Sequence, residues 1–148
     1  ALPAALALVI ASLAVAPAGW FLKVHSIQIV QSDDGRIALI QARTIWPREA
    51  LPVIWSAQID RLTLAEDGRI VGTTVCSGDG RATIRDDDFE IIKMPLRDWV
   101  GDPSCALEPG VPHVAHASWS FTVLGFTKTA THRSSAFIQR ALEVALNG

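Results

Sequence analysis

The first 22 residues carry no charged side chain, and this feature constrains the chain more than any other. Eighteen of these 22 residues are Ala, Val, Ile, Leu, Phe or Trp. The other 126 residues hold all 28 charged side chains, about 22%, which is ordinary for a globular domain. The sequence therefore predicts an apolar segment over residues 1–22, followed by a polar domain.

The apolar segment has the length of a membrane-spanning helix. About 20 residues of helix cross the roughly 30 Å hydrocarbon core of a bilayer, and residues 2–22 just reach that length. Trp20, Phe21 and Lys23 then form an interfacial belt with a snorkelling cation. We expect a retained anchor that contacts membrane lipid through residues 2–22.

Two other interpretations of this segment stay open. Ala16-Pro17-Ala18 has the small-x-small form of a signal-peptide cleavage site, with a cut after Ala18. The segment could also be a helix buried in the core of the domain. Alanine is abundant here and only weakly apolar, which weakens all three interpretations equally.

The cysteines predict one disulfide and a location. Cys76 and Cys105 are the only two, and an even count after an export-type segment is typical of an oxidising compartment. Their spacing is far from C-x-x-C, which disfavours thioredoxin-like and zinc-ribbon sites. Two unrelated buried thiols are the alternative. We therefore place the domain outside the cytoplasm, in the periplasm or extracellular space or in a virion.

Short stretches of alternating polarity predict an all-β domain over residues 23–139. We expect strands at 24–30, 36–46, 53–64, 70–75, 81–85, 89–94 and 113–124. Turn signals separate them, Ser77–Gly80 among them, and one helical turn is expected over 95–100. About seven strands at this spacing predict an antiparallel, immunoglobulin-like β-sandwich.

The end of the chain is ambiguous. Residues 135–139 fit a final edge strand, whereas the apolar positions between Phe137 and Ala145 also fit a helical stripe. We favour the strand, with residues 140–148 as a C-terminal tail.

The sequence contains no recognisable catalytic, cofactor-binding or metal-binding motif. His113 and His116 would share a face on a helix, but on a strand they point to opposite faces, so we expect surface imidazoles. Asp86-Asp87-Asp88 is the densest acidic cluster, yet it lacks EF-hand spacing. G-x-S-x-G and P-loop motifs are absent. A net charge of −2 also disfavours binding to nucleic acid.

The tryptophans have two interpretations. Trp46, Trp55, Trp99 and Trp119 are many for a small domain without tyrosine, and core packing explains most of them. An exposed aromatic patch for a protein or glycan is the alternative. Trp99 lies outside the predicted strands, so we predict that it contacts a partner together with Arg97.

Several short motifs occur in a recognisable order. They are Val24–Ile29, Arg43-Thr44-Ile45-x-Pro47, Cys76 to Gly80, Trp99 to Cys105, Pro109-Gly110, Ser118-Trp119 and Arg133-Ser134-Ser135-x-Phe137. In this set the chain resembles small uncharacterised membrane-anchored proteins of alphaproteobacterial tailed phages and prophages. The resemblance implies an apolar leading segment, a β-rich domain with two cysteines and a last strand at the Arg-Ser-x-x-Phe motif. It implies no activity.

These observations predict a non-catalytic, membrane-tethered extracytoplasmic interaction module. A phage-encoded form would act at the host envelope or in the virion, with a protein partner and no cofactor. One alternative is a small accessory or structural subunit of a larger membrane or virion assembly. Another is a secreted glycan-binding module or enzyme, if residues 1–18 are removed.

Overall fold

The computed structural model describes residues 2–45, 50–85 and 90–140. A helix, α1 (Leu2–Val15), and a 3-10 turn (Ala18–Trp20) precede the strands. The remaining elements are β1 (Leu22–Gln31), β2 (Ile37–Ile45), β3 (Ala50–Leu64), β4 (Ile70–Arg85), β5 (Glu90–Pro95), α2 (Leu96–Val100), β6 (Pro112–Val123), β7 (Phe126–Arg133) and β8 (Phe137–Ile138).

Two antiparallel sheets form a sandwich-like arrangement, which confirms the predicted all-β domain. The first sheet has the order β1-β2-β5. The second has the order β4-β3-β6-β7, and β8 pairs with β6. Strand β8 confirms the predicted final strand near residues 135–139.

The inner faces of both sheets build one hydrophobic core. Along β2, Leu39, Gln41 and Ile45 of the predicted inner face are buried, and Ile37 and Arg43 of the same face are half-buried. Along β6, Ala115, Ala117, Trp119 and Phe121 face the same core from the other sheet. The period-2 pattern in the sequence is therefore the pattern of burial in the fold.

The structure corrects two local predictions. Ser77–Gly80 is no turn, because β4 continues through it and pairs with β3 along its whole length. A Cβ atom on Gly78 would lie 1.9 Å from the carbonyl oxygen of Val100, so this glycine admits a close approach of α2. Strand β7 was not predicted; it follows β6 through a two-residue turn, Leu124-Gly125.

The predicted single helix over residues 2–22 is also wrong. The helix ends at Val15, and Ala16, Phe21 and Leu22 are buried in the core of the sandwich. Leu22 is the first residue of β1 and pairs with Ile45 of β2, so this part of the predicted helix belongs to the first sheet. Within the described residues, no helix has both the length and the apolar character needed to cross a membrane.

Three sequence features lie outside the described residues. They are Trp46 with the rest of 46–49, the aspartates of 86–89, and the tail 141–148. The acidic cluster and the helical alternative for the tail both fall there.

Candidate functional site

Helix α1 is an exposed apolar element. Every described side chain from residue 4 to residue 12 is exposed, and so is Val15. Its hydroxyl group, on Ser12, donates to the backbone oxygen of Leu8 at 2.8 Å. The surface of the helix therefore carries no charge, and its one hydroxyl group already has a hydrogen-bond partner within the helix.

A buried lysine fixes the point where α1 leaves the domain. Nζ of Lys128, on β7, donates to the carbonyl oxygen of Ala16 at 2.7 Å. That carbonyl directly follows the last residue of the helix, where backbone oxygens lack an intrahelical partner. The junction is thus clamped to the sandwich by a charge-assisted hydrogen bond.

The predicted interfacial residues occupy different environments. Trp20 is 65% exposed, and Lys23 is exposed at the start of β1. Phe21 is 3% exposed, and its ring meets the edge of Phe121 with centroids 6.3 Å apart. Trp20 and Lys23 remain available to an interface, whereas Phe21 belongs to the core.

The disulfide predicted from the cysteine count is present. Cys76 on β4 bonds to Cys105 in the loop after α2, and the two Cα atoms lie 5.5 Å apart. Within the described residues, α2 and its following loop close the side of the sandwich beside β4. The bond links that covering segment to the second sheet.

Trp99 is not exposed, which corrects the prediction for this residue. Its exposed fraction is 8%, and Nε1 donates to Oε1 of the buried Gln41 at 3.0 Å. The short helix α2 turns the indole inward onto the first sheet, so Trp99 cannot be a surface contact. Arg97 is exposed, as predicted, and lines a broad open groove with Lys93 and Arg36.

A smaller cavity lies between the two sheets. Its volume is about 260 Å³, and its walls include three indoles, those of Trp55, Trp99 and Trp119. Gln41 also lines it, but the amide oxygen of that residue already accepts the bond from Trp99. This arrangement agrees with the interpretation of the tryptophans as packing residues.

The two neighbouring histidines point to opposite faces, as expected on a strand. His113 is 1% exposed, which corrects its prediction as a surface imidazole, and its Nδ1 lies 2.8 Å from the oxygen of Val111. His116 is half-buried on the outer face, with Nε2 3.2 Å from Oδ2 of Asp60. Asp60 also accepts hydrogen bonds from Gln58 and Thr74, so this carboxylate is held rigidly.

The Asp60–His116 pair resembles two members of a catalytic triad. Ser118, the next outward residue on the strand, has its Oγ 2.8 Å from Oγ of Ser56. Over residues 2–45, 50–85 and 90–140, no serine or threonine hydroxyl bonds to His116, and no cluster of three metal-ligating side chains is found.

The β1–β2 turn contains a carboxyl group of altered acidity, that of Asp34. The Ser32 hydroxyl and the backbone N–H of Arg36 both donate to the carboxylate of Asp34 and hold its pKa below the ordinary value. The Asp34 carboxylate is exposed and pairs with Arg36. The contacts organise the turn and create no reactive group.

Comparisons with known proteins do not assign the chain to a family. No family model and no curated protein match the chain. Among solved structures it is similar to DesR, a β-glucosidase from Streptomyces venezuelae, with 9% identity and a TM-score of 0.39 over 77% of this chain and 15% of that one. It is also similar to Spo0M, a sporulation control protein from Bacillus subtilis, with 12% identity and a TM-score of 0.36 over 82% of this chain and 53% of that one.

Proposed function

We propose that the protein is a non-catalytic interaction module, tethered to a membrane by α1 and projecting its β-sandwich outside the cytoplasm. The observation that carries the proposal is α1 itself. A charge-free apolar helix with its described side chains exposed needs an apolar environment to cover it. Isolated helices of this length are marginal in water, which adds to that need.

Lipid suits α1 better than a protein groove would. A helix docked in a groove shows an apolar stripe and a polar opposite face, whereas α1 has no polar face. At 14 residues it is about 21 Å long, so the proposal requires insertion into lipid and not a full span by the described residues. Exposed Trp20 and Lys23 suit the headgroup region that follows.

The disulfide supports the side of the membrane. Disulfides persist in the periplasm and outside the cell, and cytosolic thiols are normally kept reduced. The Cys76–Cys105 bond therefore favours an extracytoplasmic domain. The proposal also includes an immunoglobulin-like form of the sandwich and an origin of the protein in a phage or prophage. The proposed origin rests on the motif resemblance alone.

The proposed interaction surface is the groove beside Arg97, at the end of the sandwich remote from α1. It is broad and open, at about 1440 Å³, and its lining combines apolar residues with three basic and three acidic ones, Arg36, Lys93, Arg97, Asp33, Asp34 and Asp98. Arginine beside apolar side chains is typical of protein interfaces. A protein partner fits this surface better than a buried small molecule does.

Expression in bacteria with membrane fractionation tests the tether and its side. The full chain should stay with membranes after a carbonate wash, and added protease should cleave the domain in spheroplasts with a sealed inner membrane. Recovery in the soluble fraction, or protection from the protease, would overturn the proposal.

Two alternatives have distinct outcomes. A structural subunit of a larger assembly would migrate with stoichiometric companions in mild detergent, whereas the proposed module migrates alone unless its partner is added. For a secreted module or enzyme, the intact mass would match a cleaved chain whose first residue is Gly19.

A further inference from the structure

The β6–β7 turn contains a leucine in an unusual conformation. Leu124 has φ of 46°, and within the described residues it alone combines a positive φ with a side chain. With Gly125 at φ of 83° it forms a two-residue hairpin turn in which both residues are left-handed. Such turns favour asparagine, aspartate and glycine, because a larger side chain crowds the backbone there.

The strained leucine also faces outward. Leu124 is 68% exposed, so its side chain gains nothing from the core to offset its conformation. Strained residues that packing does not explain are candidates for a function.

The β6–β7 turn lies at the same end of the sandwich as the exit of α1. Strand β6 ends and β7 begins at the end of the sandwich where α1 departs, because Lys128 of β7 holds Ala16 and Phe121 of β6 meets Phe21. Leu124 follows Phe121 by three residues, about 10 Å of strand. The clamped helix exit, exposed Trp20 and exposed Leu124 therefore lie at one end, which we call the base.

We propose that Leu124 inserts into the lipid surface as a second contact beside α1, so that the base of the domain rests on the membrane in a fixed orientation. This inference rests on the proposed tether. Lys128 of β7 holds the carbonyl of Ala16, the residue after α1, so inserting α1 brings the start of β7 and its preceding turn close to the bilayer.

The contact is apolar and not electrostatic. Trp20 and Leu124, the exposed side chains at the base that carry the contact, are both uncharged. Zwitterionic phosphatidylcholine vesicles are accordingly the appropriate probe.

Nitroxide labels on single added cysteines test the inference in the full chain. Labels at Leu124→Cys, Val9→Cys and Leu64→Cys report on the base, on α1 and on the remote end, where Leu64 is 74% exposed. The native cysteines are already paired, and the intact mass verifies that they remain so. The measurement is the ratio of oxygen to water-soluble nickel accessibility on phosphatidylcholine vesicles.

The inference predicts a ratio several-fold higher at positions 9 and 124 than at position 64. A high ratio at 9 with a ratio at 124 equal to that at 64 would overturn the inference and leave the tether standing. Low ratios at all three positions would overturn the tether itself. A high ratio at 64 would also overturn the inference, because the contact would not be confined to the base.

Discussion

The indole N–H of Trp99 donates to the side-chain oxygen of Gln41 at 3.0 Å, and both groups are buried. The bond joins α2 to the first sheet, while the disulfide after α2 joins the same segment to the second sheet. Helix α2 therefore acts as a bridge between the two sheets along one side of the sandwich.

Replacing Trp99 by phenylalanine should destabilise the domain by about 1–3 kcal/mol, because the buried oxygen of Gln41 loses its donor. Chemical denaturation measures the change. Arg97→Ala, two residues away and exposed, is the matched control and should change stability by less than about 0.5 kcal/mol. Equal losses in the two variants would show that the bond does not bridge the sheets.

Removing both cysteines by Cys76→Ala and Cys105→Ala should cost about 3.5 kcal/mol, since the bond closes a loop with a sequence separation of 29. Unfolding with and without a reducing agent provides a second measurement on the unaltered chain. The double variant should lose its sensitivity to the reducing agent. An unaltered chain indifferent to reduction would contradict a stabilising role for the bond.

Lys128→Met should destabilise the junction by about 1.5–3 kcal/mol, because the carbonyl of Ala16 loses a charged donor. Limited proteolysis should then cut between residues 15 and 23 sooner than in the unaltered protein. Lys93→Met, an exposed lysine on β5, is the control and should leave the cleavage rate unchanged. Unchanged cleavage in Lys128→Met would mean that the clamp does not hold the helix exit.

Leu124→Asn should raise stability by about 1 kcal/mol, because asparagine tolerates a left-handed backbone better than leucine does. Thermal unfolding in the absence of lipid measures the gain. Leu64→Asn, which is exposed to a similar degree but sits in a strand, should give no gain. A loss of stability in Leu124→Asn would show that leucine is favoured by the fold itself.

The strands could be predicted where alternation was clean. Leu39, Gln41 and Ile45 of the predicted inner face of β2 are buried, although Ala42 from the opposite face is buried as well. The sequence pattern did not predict strand β7, because Lys128 on its inner face interrupts the apolar alternation. The reason for a lysine there is the carbonyl of Ala16, 112 residues away, which no local pattern reveals.

The errors at α2 have the same origin. Trp99 was assigned to the surface because it lies outside the strands, but α2 folds back and buries the indole against Gln41. Gly78 was assigned to a turn because glycine is common there. It serves instead to admit the backbone of Val100, a contact that only the tertiary structure brings about.

The candidate site was partly predictable. The absence of charge in the leading segment identified the apolar helix, and the cysteine count identified the disulfide. Pro17 and Gly19 signal the end of the helix near Val15, but membrane helices tolerate both residues, and Phe21 and Leu22 are as apolar as the residues before them. Their burial depends on Phe121 and Ile45, which pack against them from distant strands.

Flotation with phosphatidylcholine vesicles tests the central claim, that α1 enters lipid. The full chain should float with the vesicles, and Leu8→Asp with Ile10→Asp should leave it at the bottom of the gradient, because charges on α1 oppose insertion. Leu64→Asp with Ile70→Asp adds the same charge to exposed positions outside α1 and should float like the unaltered chain. Flotation of both double variants alike, or of neither the variants nor the unaltered chain, would contradict the account.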